Sequence, residues 1–183
     1  MTETADRFAT AAAGFSRTVA AVPAHAWNNP SPCVGWNARD IVRHLVEWVP
    51  SFYGANANLT FPTGPSVDDD PIGAWTTMRD AILAVLADPA KSAFEFDSRA
   101  GKMSVEQSIA MIVTGDVLIH TWDLARAAGL DETLDPTEVH RMFEGAQPFD
   151  AILRSSGQFG PRVIVPDTAD EQTKLIAFMG RQP

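Results

Sequence analysis

Apolar residues recur along this chain at helical spacing in four long segments. Phe8, Ala12, Phe15 and Val19 lie four, three and four residues apart, which predicts a helix over 4–22, closed by Pro23. Ile41, Leu45, Trp48, Val49 and Phe52 predict a second helix over 38–57. Asn37 stands at its N-cap, with Asp40 three positions on, where free amides and the helix dipole favour a carboxylate. A third helix is expected at about 72–86, after a Pro- and Gly-rich irregular connection at 62–71, and a fourth over 105–128, stopped by Gly129. Phe94 and Phe96 alternate with polar neighbours before an SRAG turn at 98–101, which suggests a short extended piece rather than a sheet. Beyond the fourth helix the pattern weakens to a helix over 136–155, a loop carrying the run Val163 to Val165, and an amphipathic segment over 169–179. Four strong helices with little strand predict an all-α four-helix bundle with short irregular connections and a helical C-terminal tail, one domain over 1–183.

The fourth helix breaks its own pattern. In TGDVLIHTWDLARA, Asp116 and His120 are four apart and so stacked on one face, with Asp123 a further turn along. Val113, Val117, Leu118 and Ile119 leave little of that helix for water. A carboxylate buried alone there would cost several kcal/mol, so it must pair, protonate or bind a metal. The i, i+4 spacing suits two ligands of one ion; it equally suits a plain Asp–His hydrogen bond. The second helix shifts the balance, because His44 lies on or beside its buried face. His44, Asp116 and His120 together would make three protein ligands from two helices. A set of three leaves at least one coordination position open to water or substrate.

Composition removes several function classes. Fourteen Lys and Arg against twenty-three Asp and Glu give a net charge of −9, which repels phosphate backbones and anionic membranes. No nucleic acid or membrane partner is therefore expected, and the start MTETADRF does not read as a signal peptide. Cys33 is the single cysteine, so no intramolecular disulfide asks for an oxidising compartment, and a cytoplasmic protein is expected. Cys33 stands just before the second helix, where it is either an inert packed residue or a reactive thiol. Asp123 could orient His120, although i+3 geometry often misses the ring; capping or an ion pair with Arg126 serves it as well. Arg43 flanks His44 and could meet an anionic group, and Trp36 could line the mouth of the site; ordinary surface charge and loop packing account for them equally. His25 and His140 fall in surface-like positions.

The segments WNNPSPCVGWNARDIVRHLVEW and DVLIHTWDLARAAG, with the closing VIVPDTADEQTKLIAFMGRQP, resemble the DinB-like superfamily. The nearer likeness is to the branch holding the mycothiol-dependent maleylpyruvate isomerase N-terminal domain and related uncharacterised bacterial proteins. The resemblance implies a DinB-like bundle whose divalent metal is held by a His on the second helix, matching His44, and by an acidic residue and a His four apart on the later helix, matching Asp116 and His120. It implies zinc first, with nickel or iron as alternatives, and mycothiol or another low-molecular-weight thiol as a cofactor. Two departures accompany it. Asp116 is one methylene shorter than the Glu of isomerase-like members, and the extra C-terminal domain of the isomerase is not in this sequence. The expected function is that of a metal-binding protein, a thiol S-transferase or isomerase acting on a small electrophile. A non-catalytic metal or small-ligand binding module and a metal-dependent hydrolase are the alternatives, and a homodimer is an assembly the sequence allows. No catalytic residue beyond the ligand set is singled out.

Overall fold

The computed structural model describes residues 2–98, 101–155 and 159–183. Its frame is four long helical elements: α1 (Glu3–Ala21), α2 (Ala38–Ala57), α3 (Pro71–Ala87) and α6 (Thr114–Ala128). α1 packs on α3 and α6, and α2 packs on the same two, so the four close into a bundle. The core is the stripe each helix turns inward: Phe8, Phe15 and Val19 from α1, Ile41, Leu45, Val49 and Tyr53 from α2, Trp75 and Ile82 from α3, and Val117 and Leu124 from α6. The all-α expectation holds.

α1, α2 and α3 each begin on a side chain that satisfies a free amide, Thr2, Asn37 and Asp70 in turn. Asn37 accepts from the Asp40 amide at 3.1 Å while Asp40 accepts from the Asn37 amide at 2.9 Å, a reciprocal capping box. Asp70 caps α3 with Pro71 in the first turn, where its missing N–H removes nothing the helix would use.

Short elements join the frame. α4 (Pro89–Ser92) follows α3, and then Glu95–Ser98 (β1) pairs antiparallel with Gly101–Ser104 (β2). The extended piece expected around Phe94 and Phe96 is therefore half of a two-stranded sheet: Phe96 and Met103 face each other across the register and both bury their side chains. Alternation visible in one strand could not name its partner. Of the SRAG turn, Arg99 and Ala100 lie outside the described residues. After β2 the predicted fourth helix is continuous but not uniform. α5 (Val105–Ser108) runs into Ile109–Val113, where the bonds widen and the Thr114 amide reaches back five residues to the Ile109 carbonyl. α6 then continues to Gly129.

The tail comprises α7 (Pro136–Ala146), a 3₁₀ turn at Gln147–Phe149, α8 (Asp150–Ser155) and α9 (Glu171–Phe178). α9 packs on α7, and Leu134, Val139, Leu175 and Phe178 cover Leu118, Ile119 and Trp122 of α6. α6 is thus enclosed by the bundle on one side and the tail on the other, which is why it is apolar nearly all round. Val163 to Val165 stays a loop, held by one bond from the Val163 amide to the Ala177 carbonyl. Among the described residues, no helix is long and apolar enough to cross a membrane.

Candidate metal centre

α2 and α6 lie side by side in the bundle, and each offers a stripe at its edge. On α2 the stripe is His44, Trp48 and Phe52, four residues apart and half-buried beside the fully buried Ile41, Leu45 and Val49. On α6 it is Asp116 and His120. The structure brings His44, Asp116 and His120 together, with one potential donor atom from each lying within 4.8 Å of the others. Each oxygen of Asp116 meets one imidazole: Oδ2 lies 3.1 Å from His44 Nε2, and Oδ1 lies 3.4 Å from His120 Nε2. Trp48 Nε1 donates to the same Oδ2 at 2.9 Å, holding the carboxylate from the α2 side. His44 and Asp116 keep 30% and 27% of their side-chain surface exposed, whereas His120 keeps only 6%. The cluster therefore opens to solvent on the His44–Asp116 side.

Trp36 covers the two imidazoles, its ring centroid 4.9 Å from that of His44 and 5.9 Å from that of His120. The loop before α2 holds it there. The Trp36 amide bonds the Cys33 carbonyl, the Ser31 amide bonds the Trp36 carbonyl, and Asn29 donates to the Ala127 carbonyl at the end of α6. This tight turn requires Gly35 at φ +80°, a conformation that a side chain would strain. Arg43 goes elsewhere, to Asp68 at 2.6 Å and Asp40 at 3.5 Å; among the described residues it makes no hydrogen bond to the imidazoles or to Asp116. His25 is exposed, and His140 pairs with Glu171 at the surface.

The far nitrogen of His120 faces a second carboxylate. His120 Nδ1 lies 2.9 Å from Oδ2 of Asp123, whose side chain is 0% exposed. Asp123 is not the partner of Arg126, which binds Glu132 at 2.7 Å between Nη2 and Oε2. Its partner is Arg181, whose Nε and Nη2 donate to Oδ1 and Oδ2 at 2.7 Å each. Cys33 Sγ completes the group, 3.4 Å from Asp123 Oδ2 and 3.5 Å from Arg181 Nη2.

Burial opposes charge on Asp116, His120 and Asp123 of α6, and the pairing overrides it. Desolvation alone would raise the Asp116 carboxyl, but the charge and hydrogen bonds of His120 and His44 hold it far below the usual carboxylate range. Burial likewise disfavours a charged His120, yet Asp116 and Asp123 on its two sides lift its pKa well above the ordinary imidazole value. Asp123 is held low by His120 and Arg181 against its own desolvation.

Two sets of three donors share His120, and their chemistry separates them. Cys33, His120 and Asp123 lie close enough to hold an ion, but the Arg181 guanidinium already stands on both the thiol and the carboxylate. A cation there would meet a fixed positive charge. His44, Asp116 and His120 face Trp36, the neutral Trp48 N–H and solvent, and among the described residues no arginine or lysine is paired with any of the three. Two nitrogens and one oxygen form a donor set that suits a divalent first-row metal, and it is the set that fits one here.

Sequence reasoning singled out His44, Asp116, His120 and Trp36 and missed two contributors. Trp48 read as core packing, and its i+4 relation to His44 was the signal that it shares the site edge. Arg181 lies 58 residues from Asp123, and no local pattern points from one to the other.

Residues 8–125 match the family described as the mycothiol maleylpyruvate isomerase N-terminal domain. The chain belongs to this family. That membership agrees with the DinB-like resemblance of the α2 and α6 segments, and the matched span contains His44, Asp116 and His120. Two uncharacterized proteins of Mycobacterium tuberculosis, one from strain CDC 1551 / Oshkosh and one from strain H37Rv, are each 28% identical over 174 residues, covering 91% of this chain and 91% of the relative. No solved structure gives a significant match.

Proposed function

We propose that this member of the mycothiol maleylpyruvate isomerase N-terminal domain family binds one divalent cation, zinc first and nickel or iron as alternatives, through His44, Asp116 and His120. We further propose that it uses the remaining coordination positions to take up a low-molecular-weight thiol such as mycothiol. The reaction class is thiol S-transfer or thiol-assisted isomerisation of a small electrophile. The observation that carries this reading is the convergence of two imidazoles and one carboxylate, from two helices, at a place open to solvent on one side only. A structural ion is better served by a closed shell of four protein ligands.

Bound there, a divalent cation would lower the pKa of a thiol reaching it, so that sulfur is presented as thiolate near neutral pH. The residues of this chain do the rest. Asp116 supplies the only negative charge of the ligand set, and Trp48 fixes which way its Oδ2 points. His120, anchored on its far side by Asp123, offers Nε2 inward, while His44 offers Nε2 from the opposite helix. Trp36 covers the imidazole pair against water and gives the entering molecule an aromatic wall. In a transfer, the thiolate bonds to the electrophilic carbon as that carbon's π bond opens or its leaving group departs with the electron pair; after a π bond opens, a proton from solvent completes the adduct. In an isomerisation, the thiolate adds, permits rotation about the bond it has made single, and leaves. Asp116, shorter by a methylene than the Glu of isomerase-like members, would hold a bound ion closer to α6.

We further propose that residues 1–183 act as one domain in the cytoplasm, alone or as a homodimer, on a small molecule. The double enclosure of α6 supports the single domain. Calorimetry tests the function directly. Zinc-loaded protein should bind mycothiol with a simple thiol as control, and the His120→Ala variant, folded but metal-poor, should bind neither. Metal-loaded protein that ignores every thiol, and that unfolds as soon as the metal is stripped, would mark the ion as structural.

A further inference from the structure

The metal-centre reading uses only one face of His120, and the other face leads to the last residues of the chain. We propose that Arg181 is a positioning residue of the metal centre: through Asp123 it fixes the ring of His120 so that Nε2 faces His44 and Asp116. The inference rests on the reading of His44, Asp116 and His120 as ligands. It extends the working site beyond the family segment, which ends at residue 125.

The geometry forms a chain with no free member. Asp123 is fully buried and its oxygens are taken: Oδ1 by Arg181 Nε, and Oδ2 by Arg181 Nη2, His120 Nδ1 and the Cys33 thiol. The two parallel bonds of the guanidinium fix the plane of the carboxylate, which a single contact would leave free to turn. That plane aims Oδ2 at Nδ1 of His120, so Nδ1 keeps its proton and Nε2 is the nitrogen left to give up its own to an incoming cation. A metal-bound imidazole is ordinarily oriented in this way by an acceptor on its second nitrogen.

Arg181 is itself delivered by a built turn. α9 ends in a Schellman motif: the Gly180 amide bonds the Ala177 carbonyl at 3.1 Å, and the Arg181 amide bonds the Ile176 carbonyl at 3.1 Å. Gly180 sits at φ +83°, and a Cβ on it would come within 2.7 Å of the backbone of Gly160. The motif turns the chain back so that Arg181 reaches α6, while Leu175, Ile176 and Phe178 hold α9 in the second apolar cluster.

The test uses the full chain, zinc as the probe, and two readouts. Zinc affinity is measured by competition with a chelator in wild type, Arg181→Met and Arg181→Lys, with thermal melts run alongside. Arg181→Met should bind zinc about 10- to 100-fold more weakly while still folded, and Arg181→Lys should recover part of the loss, because it restores the charge without the fork. Gly180→Ala should weaken zinc binding in the same direction although Gly180 touches no ligand. If Arg181→Met fails to fold because the buried Asp123 has lost its guanidinium, Asp123→Asn combined with Arg181→Met removes both charges and should show the same loss. The second readout needs no metal: the hydrogen-bonded Nδ1–H proton of His120, assigned by its disappearance in His120→Gln, should be visible by NMR in wild type and lost to exchange in Arg181→Met. Folded Arg181→Met that binds zinc as wild type does and keeps that resonance overturns the proposal. Wild type that binds no zinc would remove the metal reading instead, and the NMR comparison alone would then decide whether Arg181 positions His120.

Discussion

The two nitrogens of His120 look onto two carboxylates that the fold treats in opposite ways. Asp116, on the Nε2 side, is about a quarter exposed and meets two imidazoles and the Trp48 indole N–H. Asp123, on the Nδ1 side, is sealed and carries a bidentate arginine. Both sit on one helix, one turn before and one turn after nearly the same point. What separates them is what packs outside: α2 and solvent for Asp116, the loop at Cys33 and the end of α9 for Asp123. A carboxylate already neutralised by a guanidinium is a structural fixture. One left with imidazoles and an indole keeps its charge available to an incoming cation.

The largest break in that contrast is Asp123→Ala. It leaves the Arg181 guanidinium buried without its partner, and the protein should lose about 3–5 kcal/mol, a fall of roughly 10 °C in Tm for a chain of this size. Differential scanning calorimetry would show it. Asp116→Asn should do the reverse, changing stability by no more than about 1 kcal/mol, since the amide oxygen still accepts from Trp48, while abolishing measurable zinc binding. Equal destabilisation by the two substitutions would erase the distinction.

Smaller effects sharpen it. Trp48→Phe removes the N–H that holds Asp116 Oδ2 and should weaken zinc binding by about tenfold, read by the same chelator competition. The smallest effect belongs to a surface copy of the inner pair. His140 Nδ1 lies 2.8 Å from Glu171, close to the 2.9 Å of His120 and Asp123, but in water. The hydrogen bond and charge of Glu171 raise the His140 pKa above the ordinary imidazole value. Because the folded value is the higher one, the pair's contribution is fully present below the unfolded pKa and is lost as pH rises through the folded one. Melting curves of wild type and His140→Ala should therefore differ slightly at pH 5.5 and coincide at pH 8.5.

The same contrast explains what was legible before the structure. Helices announced themselves because Phe8, Phe15 and Val19, or Ile41, Leu45 and Val49, repeat at helical spacing, and Asn37 with Asp40 marks a start in local sequence. His44, Asp116 and His120 were legible because polar residues on an apolar stripe demand a reason, and the family segment supplied one. The Asp123 side was not. Its partners, Cys33 and Arg181, lie 90 and 58 residues away in loops whose paths depend on tertiary packing. The pairing of β1 with β2 and the widened turn at Ile109–Val113 escaped for a related reason: both are settled by hydrogen bonds between residues whose side chains announce nothing.

One titration tests the central claim most directly. Metal-stripped wild type, Asp116→Ala and Cys33→Ala are each titrated with zinc by calorimetry, and folding is checked by circular dichroism. The two candidate donor sets share His120, so these variants tell them apart where substitution of His120 could not. One equivalent of zinc should bind to wild type and to Cys33→Ala, and none to Asp116→Ala. Zinc retained by folded Asp116→Ala and lost from Cys33→Ala would place the ion on the Asp123 side and contradict the account.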